Sequence, residues 1–206
     1  MGRVIHFYFD LVSPFAYLAN VRLPGIAERH GCELAYHPMD IPAAKQAAGN
    51  YGPSIREVPA KIKVLGADLE RWARHYEVPL KFPRGFDCRP WNIGVLYAIA
   101  HERAREYVDA AYARIWGAGI DLADSDELTQ LAERLPFDTE SFLDYVRSPG
   151  GEADFQSACD TAHAAGVFGA PIMTVDDEVF WGNDRLMFLE QYLQPQGVTI
   201  GASGNG

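Results

Sequence analysis

Phe7-Tyr8-Phe9-Asp10-Leu11-Val12-Ser13-Pro14-Phe15-Ala16-Tyr17-Leu18 decides how the rest of the chain is read. Val4 to Phe9 is a compact run of aromatic and β-branched residues broken only by His6. That pattern predicts a strand buried on both faces inside a mixed or parallel sheet. Ser13 is then a favoured N-cap and Pro14 sits where proline is tolerated, in a first helical turn. Phe15, Leu18 and Ala19 follow at helical spacing. The strand therefore delivers a hydroxyl to a helix N-terminus, where unpaired amides and the helix dipole favour negative charge. Two readings of Ser13 stay open on these residues alone: an ordinary cap, or a hydroxyl presented to a ligand. Asp10 has the same ambiguity, between tuning the charge of a site and capping its own loop.

Outward from this stretch, helical spacing runs to about Arg29, with Leu23-Pro24 predicting a kink and Gly31 a stop. Glu33 to Met39 reads as a second strand, which completes a right-handed βαβ unit. Asp40 to Pro59, rich in Ala, Gly and Pro without periodicity, reads as a long irregular loop. Apolar periodicity then turns helical. Ile62, Leu65, Leu69, Trp72 and Tyr76 share one face. Pro90 opens a further helix, and Val108, Ala111, Tyr112 and Ile115 form another stripe. Asp124 with Glu127 resembles a capping box. Phe142, Leu143 and Val146 mark a short helix that Pro149-Gly150-Gly151 is expected to close. A last inserted helix is expected from about Glu152 to Ala165. Sheet pattern returns with Ile172 to Val175 and Val179 to Trp181, joined through Asp176-Asp177 as a β-hairpin. Gly182-Asn183-Asp184-Arg185 leads into a closing helix for which Asn183 or Asp184 is the expected cap.

The predicted fold class is α/β: a thioredoxin-like βαβ…ββα order with an inserted all-helical subdomain. Its expected divisions are residues 1–55 with 166–194, an insertion over 56–165 and a tail over 195–206.

Composition narrows the function classes. Among 206 residues, 48% are hydrophobic and 22% charged, the balance of a globular domain that buries a full core. A net charge of -10 without any basic stripe argues against nucleic acid or an anionic membrane as partner. Cys32, Cys88 and Cys159 are odd in number and far apart. They predict apolar filler in a reducing cytoplasm rather than a disulfide framework. Met1-Gly2-Arg3 runs straight into the first strand, so no targeting segment is expected. The six histidines show no metal-ligand spacing, and no metal site is expected.

The ordered set Phe7-Tyr8-Phe9-Asp10-x-x-Ser13-Pro14-Phe15, Gly49-Asn50, Pro59-Ala60-Lys61, Asp68-Leu69-x-Arg71-Trp72-Ala73, Gly169-Ala170-Pro171 and Phe180-Trp181-Gly182-Asn183-Asp184-Arg185 resembles the 2-hydroxychromene-2-carboxylate isomerases. These are relatives of the kappa-class glutathione transferases on the disulfide-oxidoreductase branch of the thioredoxin fold. The resemblance covers residues 3 to about 193, and it implies that Pro171 is the cis-proline of that fold. Where thiol–disulfide members carry CxxC, this chain has Ser13-Pro14-Phe15-Ala16, with no thiolate for disulfide exchange.

By resemblance the cofactor is glutathione, with Ser13 contacting its sulfur. Asn50, with Lys61 nearby, matches the glycyl end, and the backbone from Val167 through Ala170 to Pro171 pairs with the cysteinyl part. Asn183 and Asp184 match the γ-glutamyl end, with helix capping as the plain alternative. The implied partner is a small aromatic carboxylate, and the implied assembly a homodimer. Lys61, Lys63, Arg84 and Arg89 are the candidate cations for that carboxylate. Phe82-Pro83 begins a family stretch that departs here into Arg84-Gly85-Phe86, so that Asn92 is the first asparagine able to match. The implied activity is glutathione-dependent cis–trans isomerisation in aromatic catabolism, such as naphthalene degradation. A kappa-type transferase or peroxidase and a non-catalytic glutathione-binding module are the rival readings.

Overall fold

The computed structural model describes residues 2–53 and 57–194; the tail expected over 195–206 lies outside the described residues. Strand β1 (Val4–Phe9), helix α1 (Pro14–Arg29) and strand β2 (Glu33–Pro38) form the expected βαβ unit, with β1 and β2 parallel. Strand β3 (Ile172–Val175) lies antiparallel to β1, strand β4 (Glu178–Trp181) antiparallel to β3, and helix α9 (Leu186–Leu193) closes the order. The sheet reads β2-β1-β3-β4.

Burial along β1 alternates instead of being complete on both faces. Ile5, Phe7 and Phe9 are fully buried in the main core, which the sheet shares with the inserted helices. Val4, His6 and Tyr8 are half-buried. Their face is covered through a smaller cluster in which Tyr8 packs with Met39, Ala44, Ala162 and Val167. Tyr8 also stacks on His37 at 4.7 Å, and His37 shares a 3.0 Å hydrogen bond with His6.

The segment after β2 contains a helix that its composition hid, α2 (Ile41–Ala47). Asp40 caps it by accepting from the Ala43 amide at 2.8 Å, and Pro42 lies in its first turn. Only Ala44 is buried, so seven residues rich in alanine offer no apolar stripe to read. In α3 (Pro59–Tyr76) the expected stripe reaches the core late: Leu69 and Ala73 are buried, whereas Ile62 is 45% exposed.

Helices α4 (Arg89–Ala100) and α5 (Ala104–Tyr112) follow, the latter running on into a π-helical turn, Ala113–Ala118. Next come α6 (Ser125–Ala132), α7 (Thr139–Arg147) and α8 (Pro149–Ala164). Asp124 caps α6 through the Asp126 amide, while Glu127 pairs with Arg114 instead of closing a capping box. The Pro-Gly-Gly run opens α8 instead of ending α7. Ser148 accepts from the Gly151 amide at 2.9 Å, and a Cβ on Gly151 would strike the Tyr145 carbonyl and lie 3.0 Å from Ile93 Cγ2. Glycine there records how closely the end of α7 passes.

Gly94 has the same role at the crossing of α4 with α5 and α7. A Cβ would sit 2.8 Å from Tyr107 Cζ and 2.9 Å from Phe142 Cζ, both rings being fully buried. Neither ring has room to retreat. Gly94→Ala is expected to lower stability by about 1–3 kcal/mol, seen as a lower urea midpoint at unchanged slope.

Candidate active site

Strand register gathers four segments at one end of the sheet. Phe9 faces Pro38 on β2, Tyr8 faces Ile172 on β3, and Ile172 faces Trp181 on β4. The Ser13 turn, α2, the loop before β3 and the turn after β4 all continue from that edge. The Ala170–Pro171 peptide is cis, as the resemblance implied. The Pro171 carbonyl accepts from the Gly182 amide at 2.9 Å, which ties the cis-proline loop to the Asn183 turn.

Ser13 is buried at the start of α1, and its Oγ accepts from the Ala16 amide at 3.2 Å. As an acceptor there, the hydroxyl keeps its hydrogen for another partner. The turn carrying it is fixed from several directions. The Ser13 amide donates to the Asp10 carbonyl at 2.9 Å. Leu11 donates its amide to Asn92 Oδ1 at 3.1 Å and accepts from Trp116 Nε1 at 2.9 Å. The Asp10 carboxylate accepts from the Val12 amide and Asn92 Nδ2 on one oxygen and from the Ile41 amide on the other. It thereby caps its loop. Burial pushes the Asp10 carboxyl up to about 6; the three donors oppose that rise and Asp40 adds to it.

The end of α2 with the chain after it, and the end of α8 with the loop that follows, line an open groove of about 550 Å³ that includes Asn50, His163, Val167 and Phe168. Across the edge, Asn183 is buried and its Oδ1 accepts from Tyr76 at 3.1 Å. Its Nδ2 is buried with no partner among the described residues. Neither Asn183 nor Asp184 caps a helix through its side chain. Asp184 is exposed and pairs with Arg185.

Structure thus brings Ser13, Ala170, Pro171 and Asn183 to one edge, and Asn50 and Val167 to one groove. Lys61 is exposed on the first turn of α3, about 22 Å of helix from Tyr76. Lys63 is exposed on the same helix. Arg89 is committed to Glu152 and Asp40 and lies 5.0 Å over the Phe155 ring. Arg84 has an open side chain, 79% exposed and 3.3 Å from Asp121. Asn92 is buried under the Ser13 turn, turned towards Asp10 and Leu11.

Sequence reasoning missed Tyr76, Trp116 and His163 as parts of this region. Tyr76 had only the signal of a core stripe, and Trp116 followed one. His163 had only a neighbouring cysteine to draw notice.

A mixed four-stranded sheet with a cis-proline just before β3 and a helix-capping serine just after β1, both at one end of the sheet, defines a thioredoxin-like protein. The model of the DSBA-like thioredoxin domain matches residues 4–194. The chain is 56% identical to a 2-hydroxychromene-2-carboxylate isomerase of Sphingobium xenophagum, over 94% of this chain and 99% of that protein. It is 31% identical to glutathione S-transferase kappa 1 of Caenorhabditis elegans, over 92% of this chain and 90% of that one. A solved 2-hydroxychromene-2-carboxylate isomerase structure superposes with a TM-score of 0.88 at 37% identity, covering 92% of this chain and 94% of the other. The chain belongs to the DSBA-like thioredoxin family and, within it, to the 2-hydroxychromene-2-carboxylate isomerases.

Proposed function

We propose that the chain is a glutathione-dependent isomerase that converts 2-hydroxychromene-2-carboxylate, or a closely related aromatic-degradation intermediate, to the trans-benzylidenepyruvate. The observation that carries the reading is the Ser13 hydroxyl, held by the Ala16 amide at the N-terminus of α1 in a chain 56% identical to such an isomerase. When bound, glutathione supplies a thiolate that adds reversibly to an unsaturated carbon of the ring-opened substrate and leaves again, permitting rotation about a bond that was double.

The residues fit a tripeptide thiol. Ser13 donates its hydroxyl hydrogen to the sulfur, and the Phe15 amide, which has no intrahelical acceptor, adds to the positive end of the helix dipole. Both favour the ionised sulfur without moving during reaction. Val167, Ala170 and Pro171 offer backbone groups to the cysteinyl part, as an added strand would. Asn183 Nδ2, buried without a partner among the described residues, faces a penalty that a γ-glutamyl carboxylate relieves. Asp184 takes the γ-glutamyl ammonium. Asn50 holds the glycyl end from the groove. Lys61, on the first turn of α3, is assigned with it to the glycyl end.

Arg84 is the cation assigned to the substrate carboxylate. It follows Phe82, which packs 5.6 Å from Trp116, and Trp116 bonds the Leu11 carbonyl two residues before Ser13. Arg84 has one carboxylate neighbour, Asp121 at 3.3 Å, whereas Arg89 is held by two, Glu152 and Asp40.

We assign the protein to the cytoplasm as a homodimer. Among the described residues no helix is long and apolar enough to cross a membrane. The kappa-class relative supports a second reading, transfer of glutathione to an electrophile. Titrating glutathione onto the protein while following the thiolate absorbance tests the shared core of both. A thiolate signal at neutral pH is expected, and no binding at millimolar glutathione would overturn both readings.

A further inference from the structure

We propose that Asp10 and Asn92 are positioning residues that set both ends of the glutathione site together, one carboxylate holding the Ser13 turn and the first turn of α2. The inference rests on the glutathione reading above. Asp10 Oδ1 accepts from the Val12 amide at 3.1 Å, one residue before Ser13. Its Oδ2 accepts from the Ile41 amide, also at 3.1 Å, at the start of the helix that leads to Asn50. Seven-residue α2 fully buries only Ala44, with Ile41 half-buried on the same cluster, so apolar packing locates it weakly. Its place depends on what grips its first turn, and Asp10 does so from the neighbouring strand end.

Asn92 fixes the carboxylate in turn. Its Oδ1 accepts from the Leu11 amide at 3.1 Å, which leaves Nδ2 to donate to Asp10 at 2.8 Å. The side-chain amide therefore has one sensible orientation. All three partners of the Asp10 carboxyl are donors. Only the anion accepts from all of them; a protonated carboxyl brings a donor of its own and gives up one contact.

The titratable groups around Asp10 are Asp40 at the start of α2, Tyr112 on α5 and Cys159 on α8. Arg89 on α4 pairs with Asp40 at 3.4 Å. Burial holds the Asp10 carboxyl at about 6, above an exposed aspartate, so the fold favours its protonation and acidification does not unfold the chain through this group. The grip is therefore released by removing the carboxylate rather than by acid, and glutathione affinity falls with it.

Two readouts on the full chain test this. In ligand-free Asp10→Ala, hydrogen-exchange protection of the Val12 and Ile41 amides is expected to fall together, about tenfold, relative to the wild type. S-methylglutathione, which has no thiol to ionise, is expected to bind that variant about tenfold more weakly. If the variant does not fold, Asn92→Ala serves instead: it frees the carboxylate from its orienting donor and should lower protection of both amides to a smaller extent. Unchanged protection in Asp10→Ala, or protection that falls at Val12 while Ile41 holds, overturns the inference. Failure of S-methylglutathione to bind at any pH, with the exchange pattern intact, overturns the glutathione reading alone.

Discussion

Ser13→Ala is expected to lower kcat for isomerisation by about 100- to 1,000-fold, the usual effect of removing one fixed donor to a developing or stabilised anion. The hydroxyl has two tasks. Its oxygen accepts from the Ala16 amide at 3.2 Å, and its hydrogen serves the sulfur in the proposed complex. Losing the first weakens an N-cap and costs about 1 kcal/mol, a modest fall in thermal midpoint. Losing the second removes a hydrogen bond to a charged group, so the bound thiol ionises at higher pH. The two effects separate in Ser13→Thr, which keeps the hydroxyl and is expected to recover most of the activity. A variant that loses stability but keeps the thiolate signal would confine Ser13 to capping.

Trp116→Ala carries the largest expected effect on stability. The ring is 1% exposed in the main core, and replacing a buried tryptophan by alanine costs about 3–5 kcal/mol, a large share of what a domain has. Trp116 also donates Nε1 to the Leu11 carbonyl at 2.9 Å and supports Phe82. Trp116→Phe keeps most of the packing but leaves that carbonyl without its donor. It is expected to cost about 1–3 kcal/mol of stability in urea. Turnover should fall more steeply than stability, because the Leu11 carbonyl lies in the turn that aims Ser13. Equal scaling of activity with the folded fraction would reduce Trp116 to a core residue.

Much of the sheet was legible in the sequence because β1, β3 and β4 are short, largely apolar runs bounded by turn chemistry, while β2 alternates in part. Ser13-Pro14 gave the start of α1, and Asp176-Asp177 gave the hairpin. Pro171 was legible as a cis-proline only through the family resemblance, since an isolated Ala-Pro pair does not reveal its isomer. Other features were hidden for physical reasons. α2 presents alanines, whose burial contrast is too small to mark a face. Gly150 and Gly151 looked like a helix stop, although Gly151 is required by the approach of the Tyr145 carbonyl, which no local pattern announces. The support of the Ser13 turn was hidden most deeply. Asp10 and Asn92 are 82 positions apart, and each alone reads as an ordinary polar residue near a helix start. Arg89 shows the converse: its charge looked available until folding brought Glu152 and Asp40 against it.

The central claim, that a glutathione thiolate held at Ser13 carries a reversible isomerisation, is tested most directly by following 2-hydroxychromene-2-carboxylate with enzyme and glutathione well below the substrate concentration. The account predicts many turnovers per glutathione, all of the glutathione recovered unmodified, and loss of turnover in Ser13→Ala. Conversion that proceeds unchanged without glutathione, or that stops after one equivalent with the tripeptide left on the product, would contradict it.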